Sequence, residues 1–167
     1  DYIYRNYRHA HGKSILFPGC NFPSFYPKTT RKIVNELKKY GIGVAYDCCG
    51  KPIAELGMET DEKRIISRIQ SELSERKIRE VIMLCPNCYV FLKPKLADVK
   101  IISIYEKLEE LGIGNKNLIP EKVFLPCPDR EKRELLKMIE RYTAGGLTPV
   151  ENVQCCGLGG CASIKEP

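Results

Sequence analysis

Short apolar runs alternate along the chain with longer segments whose apolar residues recur every three or four positions. SILFP (14–18), GVAYD (43–47), EVIMLC (80–85) and KIISI (100–104) have the length and β-branched content of strands buried on both faces. Between them, TTRKIVNELKKYG places Ile33, Val34, Leu37 and Tyr40 on one helical face, with Gly41 as a stop. TDEKRIISRIQSELSERK does the same with Ile65, Ile66, Ile69 and Leu73, with Thr60 or Asp61 as cap and acids in the first turn. IYEKLEELG carries Ile104, Leu108 and Leu111 and ends at Gly112. Strands separated by helices predict an α/β fold of βαβ units, with a parallel sheet and right-handed crossovers.

This pattern gives the cysteines a location. Cys20 follows SILFPG, Cys48 and Cys49 follow GVAYD, and Cys85 closes EVIML, so each falls at the carboxyl end of an expected strand. In open α/β sheets ligands bind at that edge. Cys88, through CPNC, lies one turn further on, so five thiols from three strand ends are expected to converge at one rim.

The chain also repeats itself. ILFPGC and KVFLPC share a strand running into a proline, and one spacing carries Cys20, Cys48, Cys49 and Gly50 onto Cys127, Cys155, Cys156 and Gly157. REKRELLKMIERYTAGG, with Leu135, Leu136 and Ile139 on one face, repeats the intervening helix. The same spacing applied to Cys85 and Cys88 leads past Pro167, so the second unit reads as truncated. The expected organisation is a lead-in segment 1–13, a first domain 14–118 and an incomplete second domain 119–167. His9 and His11, in HAHGK, read as solvent-facing residues of the lead-in.

Composition narrows the setting. The 167 residues, 43% hydrophobic and 29% charged, are enough for a real core. No apolar run approaches the roughly 20 residues needed to span a bilayer, and no secretory signal pattern opens the chain, which points to a soluble cytoplasmic protein. The first residue is Asp1 and the first methionine Met58, so the start reads as a cut through something longer. Nine cysteines is an odd number, and the periodic segments supply a core of their own, so metal or redox chemistry fits better than a disulfide scaffold. The net charge of +6 comes without a nucleic-acid motif or aromatic-basic interleaving. It favours an acidic protein partner and argues against nucleic acid.

FPGC, DCCGKP and CPNC, followed by the second CCGLGG element, together resemble the cysteine-rich CCG domain. That domain is found in pairs in heterodisulfide reductase B-type subunits and in iron-sulfur subunits of glycolate, lactate and glycerol-3-phosphate oxidising complexes. The resemblance implies two pseudo-repeated CCG domains and a five-thiolate site for a four-iron four-sulfur (4Fe-4S) cluster, non-cubane in the best-understood members. Carried over residue by residue, it assigns Cys20, Cys48, Cys49, Cys85 and Cys88 to the first site, and Cys127, Cys155 and Cys156 to part of a second. The family's second copy usually opens with a histidine-flanked cysteine, whereas this chain reads LPCPDR, and Cys161 has no counterpart in the first copy. The implied role is an oxidoreductase subunit that passes electrons to a disulfide or other acceptor and works only with partners, the cluster itself being the catalytic apparatus.

The residue types support this chemistry physically. Thiolates are soft donors that hold iron-sulfur clusters. Adjacent cysteines on a strand end are expected to point to different sides, which suits an extended cluster better than one tetrahedral ion. Gly50 and Gly157 would let the backbone come close and offer amide donors to sulfur. Two other readings remain open: a structural zinc site in a subunit-interaction module without redox activity, and a dithiol oxidoreductase using Cys85 and Cys88. With no ferredoxin-type cysteine run and no flavin fingerprint, electrons are expected from ferredoxin-like or flavin-containing subunits, through which the protein would associate peripherally with a membrane.

Overall fold

The computed structural model describes residues 4–152. A five-stranded sheet holds β1 (Asn6–His9), β2 (Ser14–Phe17), β3 (Gly43–Tyr46), β4 (Glu80–Met83) and β5 (Lys100–Ser103) in the order β1-β3-β2-β4-β5. The four apolar runs pair in parallel, as expected for strands joined through helices. Helices α1 (Asn21–Phe25) and α2 (Pro27–Lys38) connect β2 to β3. From β3 the chain reaches β4 through α3 (Lys51–Glu55) and α4 (Glu59–Glu75), and α5 (Pro86–Leu92) leads on to β5. α6 (Ile104–Glu110) follows β5 directly.

Each of the four parallel strands buries both faces, and the period of two divides its residues between two cores. Ile15, Phe17, Val81, Met83 and Ile101 pack with Ile69 and Leu73 of α4 and Leu92 of α5. Leu16, Val44, Ile82 and Ile102 pack on the other face with Leu37 of α2 and Ile104 of α6. Cys49, Cys85 and Cys88 belong to the first core, at its end beyond the strands.

Three local expectations are corrected. The lead-in segment is not merely a linker, since Asn6–His9 forms an antiparallel edge strand on β3 with an irregular register. Its alternation was hard to read because only Tyr7 and Ala10 are buried; His9 and His11 remain exposed, as expected. The close approach requires Gly43, where a Cβ would lie 2.4 Å from the His9 carbonyl oxygen. At α4 the N-cap is Met58, with no side-chain cap, so neither Thr60 nor Asp61 serves; Glu59, Asp61 and Glu62 still place acids in the first turn. Tyr40 does not join the buried face of α2, because the helix ends at Lys38 and leaves the ring 45% exposed.

Beyond α6, β6 (Glu121–Val123) and β7 (Leu147–Pro149) form a separate two-stranded parallel sheet, and α7 (Glu134–Glu140) lies between them in sequence. A single 3-10 turn, Cys127–Asp129, packs against α5. Asp129 is buried there, its carboxylate accepting the amides of Leu135 and Leu136, both at 2.8 Å. Among the described residues no helix is long and apolar enough to cross a membrane.

Candidate metal centre

The strand order decides where the thiols meet. β2 lies between β3 and β4, so the chain leaves β2 for one neighbour and later returns on the other side. The crevice beyond the carboxyl ends of such strands is the natural ligand site of an open α/β sheet. Cys20, Cys48 with Cys49, and Cys85 emerge from these three ends.

Each thiol is set by a local device. Cys20 occupies the N-cap position of α1 and Cys85 that of α5. Pro86, at the first turn of α5, needs no amide partner there and starts the helix, which places Cys88 on its first turn. Gly19 and Gly50 take φ of +74° and +87°, conformations costly to a residue with a Cβ. At Gly19 a Cβ would also sit 2.8 Å from Cys88 Sγ, so the backbone before Cys20 passes through space that a side chain would close.

The five sulfurs form a row. Cys20 lies beside Cys48, Cys48 beside Cys49, Cys49 beside Cys88, and Cys88 beside Cys85. Protons distribute unevenly along it. Hydrogen bonds from Cys20 and Cys49 pull the Cys48 thiol far below its ordinary range. Cys85 is drawn down to about 6, chiefly by Cys88, with the amides of Cys88 and Asn87 also favouring its charged form. Cys20 is raised by its bond to Cys48, Cys49 is pushed up to about 12 by Cys48, and Cys88 is raised by Cys49 and Cys85. Cys48 and Cys85 are thus the two sulfurs of the row that readily carry negative charge, while Cys20, Cys49 and Cys88 hold their protons. Cys49, Cys85 and Cys88 are buried, whereas Cys20 and Cys48 are half-buried.

Cys48 and Cys49 do not point to opposite sides as expected of a continuing strand. β3 ends at Tyr46, and the turn into Gly50 brings both sulfurs onto the same row. Gly50 also acts differently from the expectation. Its amide does donate to Cys48 Sγ, at 3.4 Å, but the space a side chain would need is occupied by Ile65, 3.0 Å from the Cβ position.

Behind the row stands a buried polar network that sequence reasoning missed. Asp47 is fully buried; its Oδ1 accepts the Cys48 amide at 2.8 Å, and Oδ2 accepts the Tyr7 hydroxyl at 3.0 Å. The Arg68 guanidinium pairs with the same carboxylate. Burial, with Asp47 beside it, raises the Tyr7 hydroxyl well above its usual range and keeps it a donor. An acid closing an apolar strand, directly before two cysteines, was the available signal; its partners on β1 and α4 leave none in sequence.

Cys127 stands apart. It is exposed, forms no disulfide, and borders a cleft of about 630 Å³ together with Tyr89, Lys93 and Leu135. Cys155, Cys156, Gly157 and Cys161 lie outside the described residues. Among the described residues, no three Cys, His, Asp or Glu side chains surround a point suited to a single metal ion. The thiols neighbour one another along the row, and all five are donors of the type that iron-sulfur clusters take.

No curated protein matches the chain at a significant level. The family model of the CCG cysteine-rich domain matches residues 15–93, which run from β2 to the end of α5 and include the three parallel strands that carry the thiols. That stretch, a little under half of the chain, holds all five cysteines of the row in the order Cys, Cys-Cys-Gly, Cys-x-x-Cys, and over it the chain is similar to the CCG cysteine-rich domain family.

Proposed function

We propose that this chain is the iron-sulfur electron-transfer subunit of a reductase of the heterodisulfide reductase B-like kind, with Cys20, Cys48, Cys49, Cys85 and Cys88 holding a 4Fe-4S cluster. The observation that carries the reading is the meeting of five thiols from three strand ends in one row. Domains of this family occur in iron-sulfur oxidoreductase subunits, which supports the same conclusion. When bound, such a cluster supplies one-electron chemistry at an iron open to substrate sulfur. The chain's own residues hold and tune the site. The Gly50 amide donates toward Cys48, the start of α5 favours charge on Cys85, and Asp47 fixes the backbone at Cys48. Substrate is a disulfide or another acceptor, and electrons arrive from a ferredoxin-like or flavin-containing partner. Cytoplasmic placement follows from the same reading, and the six described cysteines, all outside disulfides, suit a reducing compartment. In the same proposal Cys127, Cys155, Cys156 and Gly157 belong to a second, homologous unit; the order strand, helix, parallel strand from β6 to β7 supports it.

A dithiol oxidoreductase at Cys85 and Cys88 is disfavoured, since both are buried, 8% and 2% exposed, and reactive dithiols need access. A structural zinc is the remaining competitor. Iron, zinc and acid-labile sulfide per chain after anaerobic purification separate the two. About four iron and four sulfide, lost in Cys49→Ser, is the expected result. One zinc without sulfide would replace the reductase reading with a structural clasp.

A further inference from the structure

The charge of the chain is concentrated on one part of the fold. Of the net +6, residues 21–40 carry +4, from Lys28, Arg31, Lys32, Lys38 and Lys39 against Glu36 alone. Glu36 is already paired with Lys39 at 2.6 Å, while Lys28, Arg31, Lys32 and Lys38 are exposed. At the junction of α1 and α2 the rings of Phe25 and Tyr26 are 67% and 60% exposed. Two neighbouring aromatic side chains left in water beside a band of cations form a surface of the kind that marks an interaction site. A groove of about 540 Å³ is lined by Pro23 of α1, Pro27, Arg31 and Val34 of α2, and Tyr46 at the end of β3, one residue from Asp47.

This surface adjoins the accessible end of the thiol row. Cys20 caps the same α1 that carries Phe25, only about 8 Å further along the helix axis. Cys20 and Cys48 are the two thiols of the row that are not buried. We infer that the Phe25-Tyr26 platform with Lys28, Arg31 and Lys32 is the docking face for an acidic protein that exchanges single electrons at the Cys20-Cys48 end of the row. The electron-carrying role of the partner rests on the iron-sulfur reading; the docking does not. In the exchange one electron leaves the partner's redox centre, which is oxidised by one level. That electron reduces the metal centre held by the thiols by one level, and no bond or proton moves. Opposite charge steers such encounters, and interfaces between electron carriers are small, so affinity is modest and salt-sensitive.

The test uses the full chain purified anaerobically, an acidic plant-type [2Fe-2S] ferredoxin as probe, and a basic cytochrome c as control, with binding followed by calorimetry. The parent chain should bind the ferredoxin with a micromolar Kd that weakens about tenfold or more between about 50 and about 300 mM salt. The triple variant Lys28→Glu, Arg31→Glu, Lys32→Glu should lose the binding while keeping the parent's circular dichroism and iron and sulfide content. Phe25→Ala should weaken it severalfold. Absence of ferredoxin binding by the parent, equal binding by the triple variant, or cytochrome c binding as tightly as ferredoxin would overturn the inference. Docking by a chain that holds zinc or no metal would keep the docking face and remove the iron-sulfur reading.

Discussion

Asp47 accepts the backbone amide of Cys48 at 2.8 Å while Tyr7 and Arg68 hold its carboxylate from β1 and α4. The first thiol of the Cys-Cys pair is therefore anchored from behind by three elements. Replacing Asp47 by Ala leaves the Arg68 charge and the Tyr7 hydroxyl without their partner. Because Arg68 keeps some solvent access, the expected loss is about 3 kcal/mol, the lower end for a broken buried pair. Tyr7→Phe should lose about 1.5 kcal/mol, one hydrogen bond to a charged group. Urea unfolding of the metal-free chain gives both values, and a Tyr7→Phe loss equal to that of Asp47→Ala would show that the network is not shared as described.

Gly19 and Gly57 allow the backbone and packing effects to be separated. Both have positive φ, +74° and +77°, so Ala at either position carries a similar conformational cost of about 1 kcal/mol. Only at Gly19 does the new Cβ meet a thiol, Cys88 Sγ at 2.8 Å; nothing lies within 4 Å at Gly57. Gly19→Ala should markedly reduce metal retained per chain, and Gly57→Ala should leave it near the parent level. Equal metal content in the two variants would remove the steric role given to Gly19.

Acid stability should depend on a site at the opposite edge of the sheet. Glu80 on β4 receives Lys107 at 2.7 Å and the Ser14 hydroxyl at 2.9 Å. Burial works against its charged form, but the hydrogen bonds from Lys107 and Ser14 outweigh it, so its pKa is lowered from 4.5. A carboxyl whose native pKa is depressed contributes stability that is fully present above the unfolded value and is lost as pH falls through the native one. Glu80→Gln should therefore be less stable than the parent at neutral pH, with the gap closing as pH falls below 4.5. Urea midpoints across the acid limb check this, and a constant gap would contradict it.

Alkylation should distinguish the cysteines by exposure. In the folded, metal-free chain Cys127 is exposed, whereas Cys88 is 2% exposed and its thiol is raised by Cys49, Cys85 and burial. Timed iodoacetamide labelling with peptide mapping should modify Cys127 well before Cys88. Faster labelling of Cys88 would mean that the row is open to solvent.

The repeat expected from the cysteine spacing is not reproduced residue for residue in the backbone pairing. The cysteine spacing that maps the first unit onto the second would carry the observed pairing of Leu16 with Val44 onto Val123 with residue 151. Val123 instead pairs with Pro149, two residues earlier. β6 and β7 have no flanking strands in their sheet among the described residues, so neighbouring pairs do not hold their register as they do around β2.

The sequence by itself determined the four parallel strands, because runs such as SILF and EVIM are apolar at every face a sheet can bury. It also placed Cys20, Cys48, Cys49 and Cys85 at strand ends and Cys88 one turn beyond, since strand length and helix period fix where each run stops. The tertiary structure alone decided the strand order that brings Cys20, Cys48, Cys49, Cys85 and Cys88 into one row, because pairing between distant segments leaves no local pattern. For the same reason it decided the union of Tyr7, Asp47 and Arg68, which are 40 and 21 residues apart from the shared carboxylate. It also turned Cys48 and Cys49 to one side, a consequence of the chain leaving β3 at Tyr46 and turning through Gly50 rather than continuing as a strand.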